Sequence, residues 1–305
     1  MIRTVSYPHS FDLFQHTPIE SYNVHGTNVW VKREDMCGPD GAPTFSKIRG
    51  LIPHLIDLKK RYPAVTTIGY VETSISMAGW GVAWACQMLG LQCIIFDPQY
   101  KPETELPILR YHRQQWIRFG ATIRPIKAGM ARVNWNVARN TMRDEFAEHG
   151  VLLQLGLPFE ETIDATGMEL RHTLTYQGIH LPKSIVVPVG SGTIVSGILQ
   201  TVYNNPSYQY IKVIGVCVCT KNKHRLESTI LSKAHLPIPG SLFDIRSISL
   251  ELQDPGWEYT DSSTISCPFP CHPYYDLKAW QWLVENINNI AKPVLFWNIG
   301  RYDEN

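Results

Sequence analysis

The chain has 305 residues, of which 44% are hydrophobic and 18% are charged, a composition that excludes a mainly disordered protein and allows a substantial core. Its formal net charge of +1, with no long run of Lys or Arg, excludes a dedicated nucleic-acid binder but leaves room for a local basic groove. No apolar run is long enough for a signal peptide or a bilayer span, so a soluble, cytoplasmic protein without a membrane partner is expected.

Short runs rich in β-branched residues alternate with longer stretches of helical period, which is typical of parallel sheets with crossover helices. The predicted strands are 28–32, 66–71, 92–96, 122–126, 184–189, 212–218 and 294–297. The predicted helices are 46–60, 76–89, 107–119, 132–149, 163–176, 193–203 and 276–289. Two Pro-rich stretches, 37–43 and 255–273, are predicted to be irregular.

No change in composition marks a linker, so the pattern predicts one lobe inserted in another. Residues 51–151 would form the smaller, inserted lobe, and residues 1–50 together with 152–305 the larger one. A cleft between two such lobes is the usual place for a small-molecule site.

The first segment that could take part in catalysis contains Lys47, which follows an irregular loop and opens a predicted helix. A lysine in the first helical turn faces the positive end of the helix dipole, which lowers its pKa and makes the neutral amine available for an imine. Considered alone, Lys47 would more often be a solvated lysine near a helix start.

The second segment is the turn Gly190-Ser191-Gly192-Thr193, between a buried strand and a helix. Such a turn presents backbone N–H groups and hydroxyls to an anion, and phosphate is the ligand that this arrangement favours. The alternative is an ordinary tight strand-to-helix turn. The spacing fits neither a Walker loop nor a dinucleotide fingerprint.

Two further segments stand at the starts of predicted helices. Ser76 would either hold a substrate carboxylate at the helix N-terminus or serve as a plain N-cap. Asp276, where the second irregular stretch meets the last long helix, is either a structural N-cap or a carboxylate that keeps a pyridine nitrogen protonated.

The seven cysteines are scattered, and the close pairs Cys217/Cys219 and Cys267/Cys271 lack the two-residue spacing of a zinc knuckle. The stretch that ends at Cys219 is typical of a buried strand in which cysteine acts as a small hydrophobe. We therefore predict thiols and no metal.

Taken in order, these segments resemble the tryptophan-synthase-β-like (fold type II) family of pyridoxal-phosphate enzymes, nearest its aminocyclopropane-carboxylate deaminase and D-cysteine desulfhydrase branch. The resemblance covers nearly the whole chain and rests on residues 17–20, 31–35, 46–49, 76, 190–193, 273–278 and 294–300. It implies an α/β fold of two lobes, with open, twisted, mostly parallel sheets and helices on both faces, and a homodimer.

By this resemblance, Lys47 would form a Schiff base with pyridoxal 5'-phosphate, and the larger lobe would bind this cofactor. Gly190–Thr193 would cradle the phosphate, and Asp276 would pair with the ring nitrogen. Ser76 would face the substrate carboxylate or assist proton transfer, and Tyr275 would lie beside the cofactor. The catalytic residues would thus be Lys47, Ser76 and Tyr275.

The reaction that the resemblance implies first is that of a lyase or deaminase acting on an amino acid through an external aldimine and a quinonoid intermediate. Departures from the family pattern border the substrate side, where Ser46 and Met77 each replace an Asn. An alternative is therefore a decarboxylase of an amino-acid group carried on a larger molecule, such as a modified DNA nucleobase, with nucleic acid only as the carrier. A further alternative is an inactive cofactor-binding homologue.

Overall fold

The computed structural model describes residues 14–101, 105–219, 222–237 and 248–302. The predicted lack of a signal peptide concerns the first 13 residues and lies outside the described residues. Within the described ranges, none of the helices combines the length and the apolar character needed to span a bilayer.

Strands and helices alternate along most of the chain. The strands are β1 (Ile19–Val24), β2 (Thr27–Arg33), β3 (Thr67–Val71), β4 (Gln92–Gln99), β5 (Thr122–Lys127), β6 (Gly150–Leu152), β7 (Ser184–Val189), β8 (Lys212–Cys217), β9 (Leu250–Gln253) and β10 (Val294–Asn298). The helices are α1 (Ile48–Arg61), α2 (Ala78–Leu89), α3 (Pro107–Arg118), α4 (Ala131–Phe146), α5 (Glu160–Tyr176), α6 (Thr193–Asn204), α7 (Lys223–Lys233) and α8 (Asp276–Asn286).

The strands form two sheets. The larger, six-stranded sheet has the order β1-β2-β10-β7-β8-β9, and the smaller, four-stranded sheet has the order β5-β4-β3-β6. Every pair of neighbouring strands is parallel except the β1–β2 hairpin. The predicted α/β class, with mostly parallel sheets and helices on both faces, is confirmed.

The sequence pattern explains the strands that were predicted. All six residues of β7 are buried, because helices cover both faces of a parallel sheet, and after Ser184 the strand is a continuous apolar run. The strands β1, β6 and β9 and the helix α7 were not predicted. Since β6 has three residues and β9 has four, they are too short to show a period.

The β1–β2 hairpin is closed by two residues with positive φ, His25 at 48° and Gly26 at 82°. Positive φ at both positions is the geometry of a type I′ turn, whose twist matches that of the flanking strands. Residues 254–275 contain neither helix nor strand, which agrees with the irregular stretch predicted there.

The strands of the smaller sheet are contiguous in the chain and lie between β2 and β7 of the larger sheet. This is the arrangement expected of an inserted lobe, and the boundaries 51–151 stay a prediction. Helix α1 crosses α5 closely at Gly50, where a Cβ would lie 2.2 Å from the backbone N of Thr162. The N–H of Ser46 donates to the carbonyl oxygen of Ile299 at 2.8 Å, which holds the chain before α1 at the end of β10 in the larger sheet.

Candidate active site

A cavity of about 280 Å³ lies between residues that follow strands of both sheets. Tyr70 and Thr73 come from the end of β3 in the smaller sheet, and Ile299 follows β10 in the larger one. Such a place at the carboxyl ends of parallel strands is where α/β proteins bind ligands. All the site residues predicted from the sequence line this cavity: Lys47, Ser76, Gly190, Ser191, Gly192, Thr193, Tyr275 and Asp276.

Lys47 is the N-cap residue of α1 and is half-buried. Its Nζ donates hydrogen bonds to the carbonyl oxygen of Gly156 at 2.7 Å and to Oγ of Ser191 at 3.0 Å. Gly156 was not predicted, although Leu155-Gly156-Leu157-Pro158 has the composition of a turn, and Gly156 has a φ of 78°. The amine is thus held at the glycine-rich turn, within reach of a ligand there.

The glycine-rich turn leads from β7 into α6. Gly192, the N-cap of α6, has a φ of 85°, and a Cβ there would lie 2.8 Å from Cγ1 of Ile230. The hydroxyls of Ser191 and Thr193 lie 3.1 Å apart. Because the first N–H groups of a helix have no partner within the helix, this turn and the first turn of α6 can bind an anion.

A second cation lies beside the same turn. The ammonium of Lys233, at the end of α7, donates to the carbonyl oxygen of Ser191 at 2.6 Å and lies 3.5 Å from Oγ1 of Thr193. No local pattern could have identified Lys233, because it lies 42 positions after Ser191 on a helix that was not predicted. Its charge favours a phosphate at this turn.

Asp276 is the first residue of α8 and is fully buried. Its Oδ1 accepts a hydrogen bond of 2.6 Å from the backbone N–H of Ile299, whereas Oδ2 has no hydrogen-bond partner among the described residues. Burial raises the pKa of Asp276 well above its usual value, and the N–H of Ile299 opposes that rise. A buried acceptor without a donor is costly, so a ligand with a protonated ring nitrogen fits this carboxylate.

Three hydroxyls form a chain across the cavity wall. Oη of Tyr275 lies 2.8 Å from Oη of Tyr259, which lies 3.0 Å from Oγ1 of Thr73. Burial raises the pKa of Tyr259 to about 12 and that of Tyr275 well above its usual value. Both phenols therefore keep their protons at neutral pH and can donate them. Tyr259 was not among the site residues predicted from the sequence.

The wall before α2 combines a hydroxyl, an apolar side chain and a buried acid. Oγ of Ser76 accepts a hydrogen bond of 3.1 Å from the N–H of Ala78 and so contacts the start of α2, although the N-cap residue of that helix is Met77 and not Ser76. Met77 is buried and lines the cavity. Glu72 accepts from the N–H of Thr73 at 2.8 Å and of Gly79 at 2.6 Å, and burial raises its pKa to about 8.

A group with metal-ligand geometry lies away from this cavity. His16, Glu169 and His172 offer ligand atoms within 4.8 Å of one another. The carboxylate of Glu169 is already paired with the ammonium of Lys32 at 2.5 Å, and the guanidinium of Arg49 lies 3.8 Å away. These two cations disfavour a bound metal ion at this place.

The cavity thus brings together an amine, an anion cradle and a buried carboxylate with one unmatched oxygen. These features fit the aldehyde, the phosphate and the ring nitrogen of one phosphorylated pyridine aldehyde. With two parallel sheets around them, they define an α/β enzyme that binds a cofactor of this kind. The chain belongs to the pyridoxal-phosphate dependent enzyme family, which matches residues 11–257. It is therefore a pyridoxal-phosphate-dependent enzyme, and the family resemblance seen in the sequence is confirmed.

Relatives with curated functions extend this result. A "Glycyl-dTMP PLP-dependent decarboxylase" of Pseudomonas phage M6 is 33% identical over 294 residues, which are 94% of this chain and 99% of the relative. A tryptophan synthase beta chain of Rhodopseudomonas palustris is 24% identical over 256 residues, which are 80% of this chain and 59% of the relative. Among solved structures, an ACC deaminase homologue superimposes with a TM-score of 0.73 at 18% identity, covering 96% of this chain and 95% of its own. At that identity the likeness shows the fold alone.

Proposed function

We propose that this enzyme removes carbon dioxide from a glycyl group carried on a thymidine nucleotide. The observation that carries the proposal is the 33% identity to a glycyl-dTMP decarboxylase over 99% of that relative's length. Elimination or deamination of a free amino acid is the reaction that the sequence favours first. The similarity over the whole relative favours decarboxylation, its alternative, instead.

The chain's own residues would hold the cofactor at three points. Lys47 would bind the aldehyde carbon covalently through its amine. The phosphate would lie in the Gly190–Thr193 turn, at the N-terminus of α6 and near the ammonium of Lys233. Asp276 would accept a hydrogen bond from the ring nitrogen through Oδ2, the oxygen that lacks a partner among the described residues.

When bound, pyridoxal 5'-phosphate supplies an electron-withdrawing ring that accepts the electron pair of the breaking bond. In the proposed reaction the bond between the α-carbon and the carboxylate carbon breaks, and carbon dioxide leaves. Ser76 would orient the carboxylate through its hydroxyl. The buried side chain of Met77 withholds hydrogen bonds and water from the carboxylate, which disfavours the charged group relative to neutral carbon dioxide.

A proton must then reach the α-carbon. Lys47, whose amine is released when the amino group of the substrate replaces it on the aldehyde carbon, and Tyr275 both line the cavity and can deliver the proton. Because burial raises the pKa of Tyr275 well above its usual value, its hydroxyl acts as a donor rather than as a base. Tyr259 and Thr73 orient that hydroxyl through the chain of hydrogen bonds described above.

A second cavity offers room for the nucleotide. It has a volume of about 270 Å³ and shares Thr73, Ala131, Leu155 and Tyr259 with the first. A free amino acid would not need to occupy the second cavity, whereas a nucleoside joined to the reacting group extends beyond the first cavity. The shared residue Tyr259 also presents an aromatic ring where a base can stack.

Product analysis tests the proposal. The enzyme loaded with cofactor is incubated with glycyl-dTMP labelled in its carboxylate, and in parallel with glycine and with D-cysteine. We expect labelled carbon dioxide from glycyl-dTMP, one molecule for each substrate consumed, and no ammonia. Lys47→Ala serves as the control for uncatalysed loss. Ammonia from the free amino acids, with glycyl-dTMP left intact, would refute the proposed reaction and favour deamination of a free amino acid.

Two finer features stay proposals: a homodimer, which the family resemblance implies, and the cytoplasmic location expected from the sequence. Sedimentation of the purified enzyme should give twice the chain mass of 34.7 kDa. Fractionation of expressing cells should leave the enzyme with the cytoplasmic proteins. A monomer that turns over at full rate would exclude a need for the dimer.

A further inference from the structure

The positive charge of the chain is concentrated in one segment. Of its 28 Lys and Arg residues, eight lie between residues 106 and 143, a stretch without a single Asp or Glu. Taking eight from 28 leaves 20 Lys and Arg against all 27 Asp and Glu in the rest of the chain. The segment builds α3, the edge strand β5 and most of α4, so the small net charge hides a strongly uneven surface.

Some of these cations have carboxylate partners and others do not. Arg113 pairs with Asp97, and Arg124 pairs with Glu145. Four exposed cations of this segment have no carboxylate partner among the described residues: Arg118, Lys127, Arg132 and Arg139. Arg118 belongs to α3, and we call the other three, which lie on β5 and α4, the basic face.

The basic face follows one side of α4. Arg132 and Arg139 are seven residues apart, which is about two helical turns and about 10 Å of rise, so they lie on the same side of the helix. Lys127 ends β5, four residues before α4 begins. The guanidinium of Arg139 lies 5.6 Å from the ring centre of Trp135, which restrains it along the helix.

The basic face begins where the second cavity opens. Gly129 and Ala131 line that cavity and are exposed, so the cavity meets solvent at the start of α4. Lys127 and Arg132 flank these two residues in the chain. A ligand that leaves the cavity at this point therefore passes directly onto the basic face.

We propose that Lys127, Arg132 and Arg139 bind the phosphodiester backbone of a DNA strand whose modified base enters the second cavity, an inference that rests on the proposed function for the identity of that base. Arg132 and Arg139, about 10 Å apart along α4, can reach more than one backbone phosphate, whereas a free mononucleotide offers a single phosphate group. The enzyme thus acts on a base within a polymer in preference to a free nucleotide.

Binding of a fluorescein-labelled single-stranded oligothymidylate to the cofactor-loaded enzyme, measured by anisotropy at several salt concentrations, tests this proposal. The double variant Arg132→Gln/Arg139→Gln should bind at least about tenfold more weakly at low salt, and its salt slope should be smaller by about 1.4. The matched control Arg171→Gln/Arg225→Gln removes two exposed arginines from α5 and α7 and should bind like wild type. All three proteins should keep the same circular dichroism and cofactor absorbance.

Equal binding of the oligonucleotide by all three proteins would overturn the proposal, as would its displacement by thymidine monophosphate at equal phosphate concentration. Carbon dioxide release from free glycyl-dTMP separates this inference from the proposed function. If the double variant loses DNA binding but decarboxylates the mononucleotide like wild type, the basic face is supported. If wild type binds DNA through this face but releases no carbon dioxide from free glycyl-dTMP or from an oligonucleotide that contains it, the proposed reaction fails and the binding face stands.

Discussion

Lys47 and Ser191 are 144 positions apart in the chain, yet Nζ of Lys47 lies 3.0 Å from Oγ of Ser191. Lys47 precedes α1, and Ser191 follows β7 of the larger sheet. The candidate Schiff-base lysine and the candidate phosphate cradle therefore share one cavity. Had they lain on opposite surfaces, a single cofactor could not have used both.

Replacing Lys47 by Ala should abolish covalent attachment of the cofactor, because no other amine is expected to take its place. Borohydride reduction followed by mass spectrometry measures this attachment, and the variant should show no added cofactor mass. Lys233→Ala is the matched control, since it removes a cation from the phosphate turn and leaves Lys47 in place. It should weaken cofactor affinity and still give the covalent adduct. An adduct of equal yield in Lys47→Ala would contradict the assignment.

Replacing Asp276 by Asn should have opposite effects on the free and the loaded protein. Burial raises the pKa of Asp276 well above its usual value, so without cofactor the folded state loses stability as the pH rises through the ordinary range of an aspartate. An amide avoids this loss, and the cofactor-free variant should unfold at a higher temperature than wild type at pH 7.

With cofactor, the same amide cannot hold a protonated ring nitrogen by charge, and we expect affinity to fall on the order of tenfold. Scanning calorimetry of both forms and an absorbance titration measure the two effects. A variant that is less stable than wild type without cofactor would show that Asp276 serves the start of α8 rather than the ligand.

Glu72 should make stability depend on pH. Burial raises its pKa from the usual 4.5 to about 8, so the folded state holds the proton more tightly than the unfolded chain does. Its contribution is therefore fully present below pH 4.5 and is lost as the pH rises towards 8. Urea unfolding of wild type and Glu72→Gln at several pH values isolates this part as their difference. Parallel curves for the two proteins would show that Glu72 does not titrate in this range.

Replacing Gly192 by Ala should loosen the phosphate turn. The φ of 85° costs a non-glycine residue about 1–2 kcal/mol, and the new Cβ would lie 2.8 Å from Cγ1 of Ile230. Cofactor affinity should fall by about tenfold in a spectroscopic titration. The matched control is Gly26→Ala, which has a φ of 82°, no atom within 4 Å of the new Cβ, and a place in the β1–β2 turn. It should lose stability but bind cofactor normally, and equal affinities for all three proteins would contradict the predicted cradle.

Physical differences explain why some helices and strands were predicted from the sequence and others were not. The apolar run of β7 was readable because a strand buried on both faces is mostly apolar, and every residue of β7 after Ser184 is apolar. Helix α7 was not, because only Leu226, Ile230 and Leu231 of its eleven residues are buried and its remaining positions are mostly polar. The helix contributes to the site through its last residue, Lys233, whose ammonium donates a hydrogen bond to the carbonyl oxygen of Ser191 in the phosphate turn.

The sequence by itself determined the fold class, the cofactor and the residues with distinctive local chemistry: a lysine at a helix start, a glycine-rich turn after a buried strand, and an acid at the start of the last helix. These features can be predicted because they depend on residues that are neighbours in the chain, through periodicity and turn geometry. Only the tertiary structure decided that Gly156 receives the amine of Lys47, 109 positions away, and that Tyr259 joins Thr73, 186 positions away. Such partners depend on how sheets and helices pack, and packing brings together groups whose local sequence carries no sign of their contact.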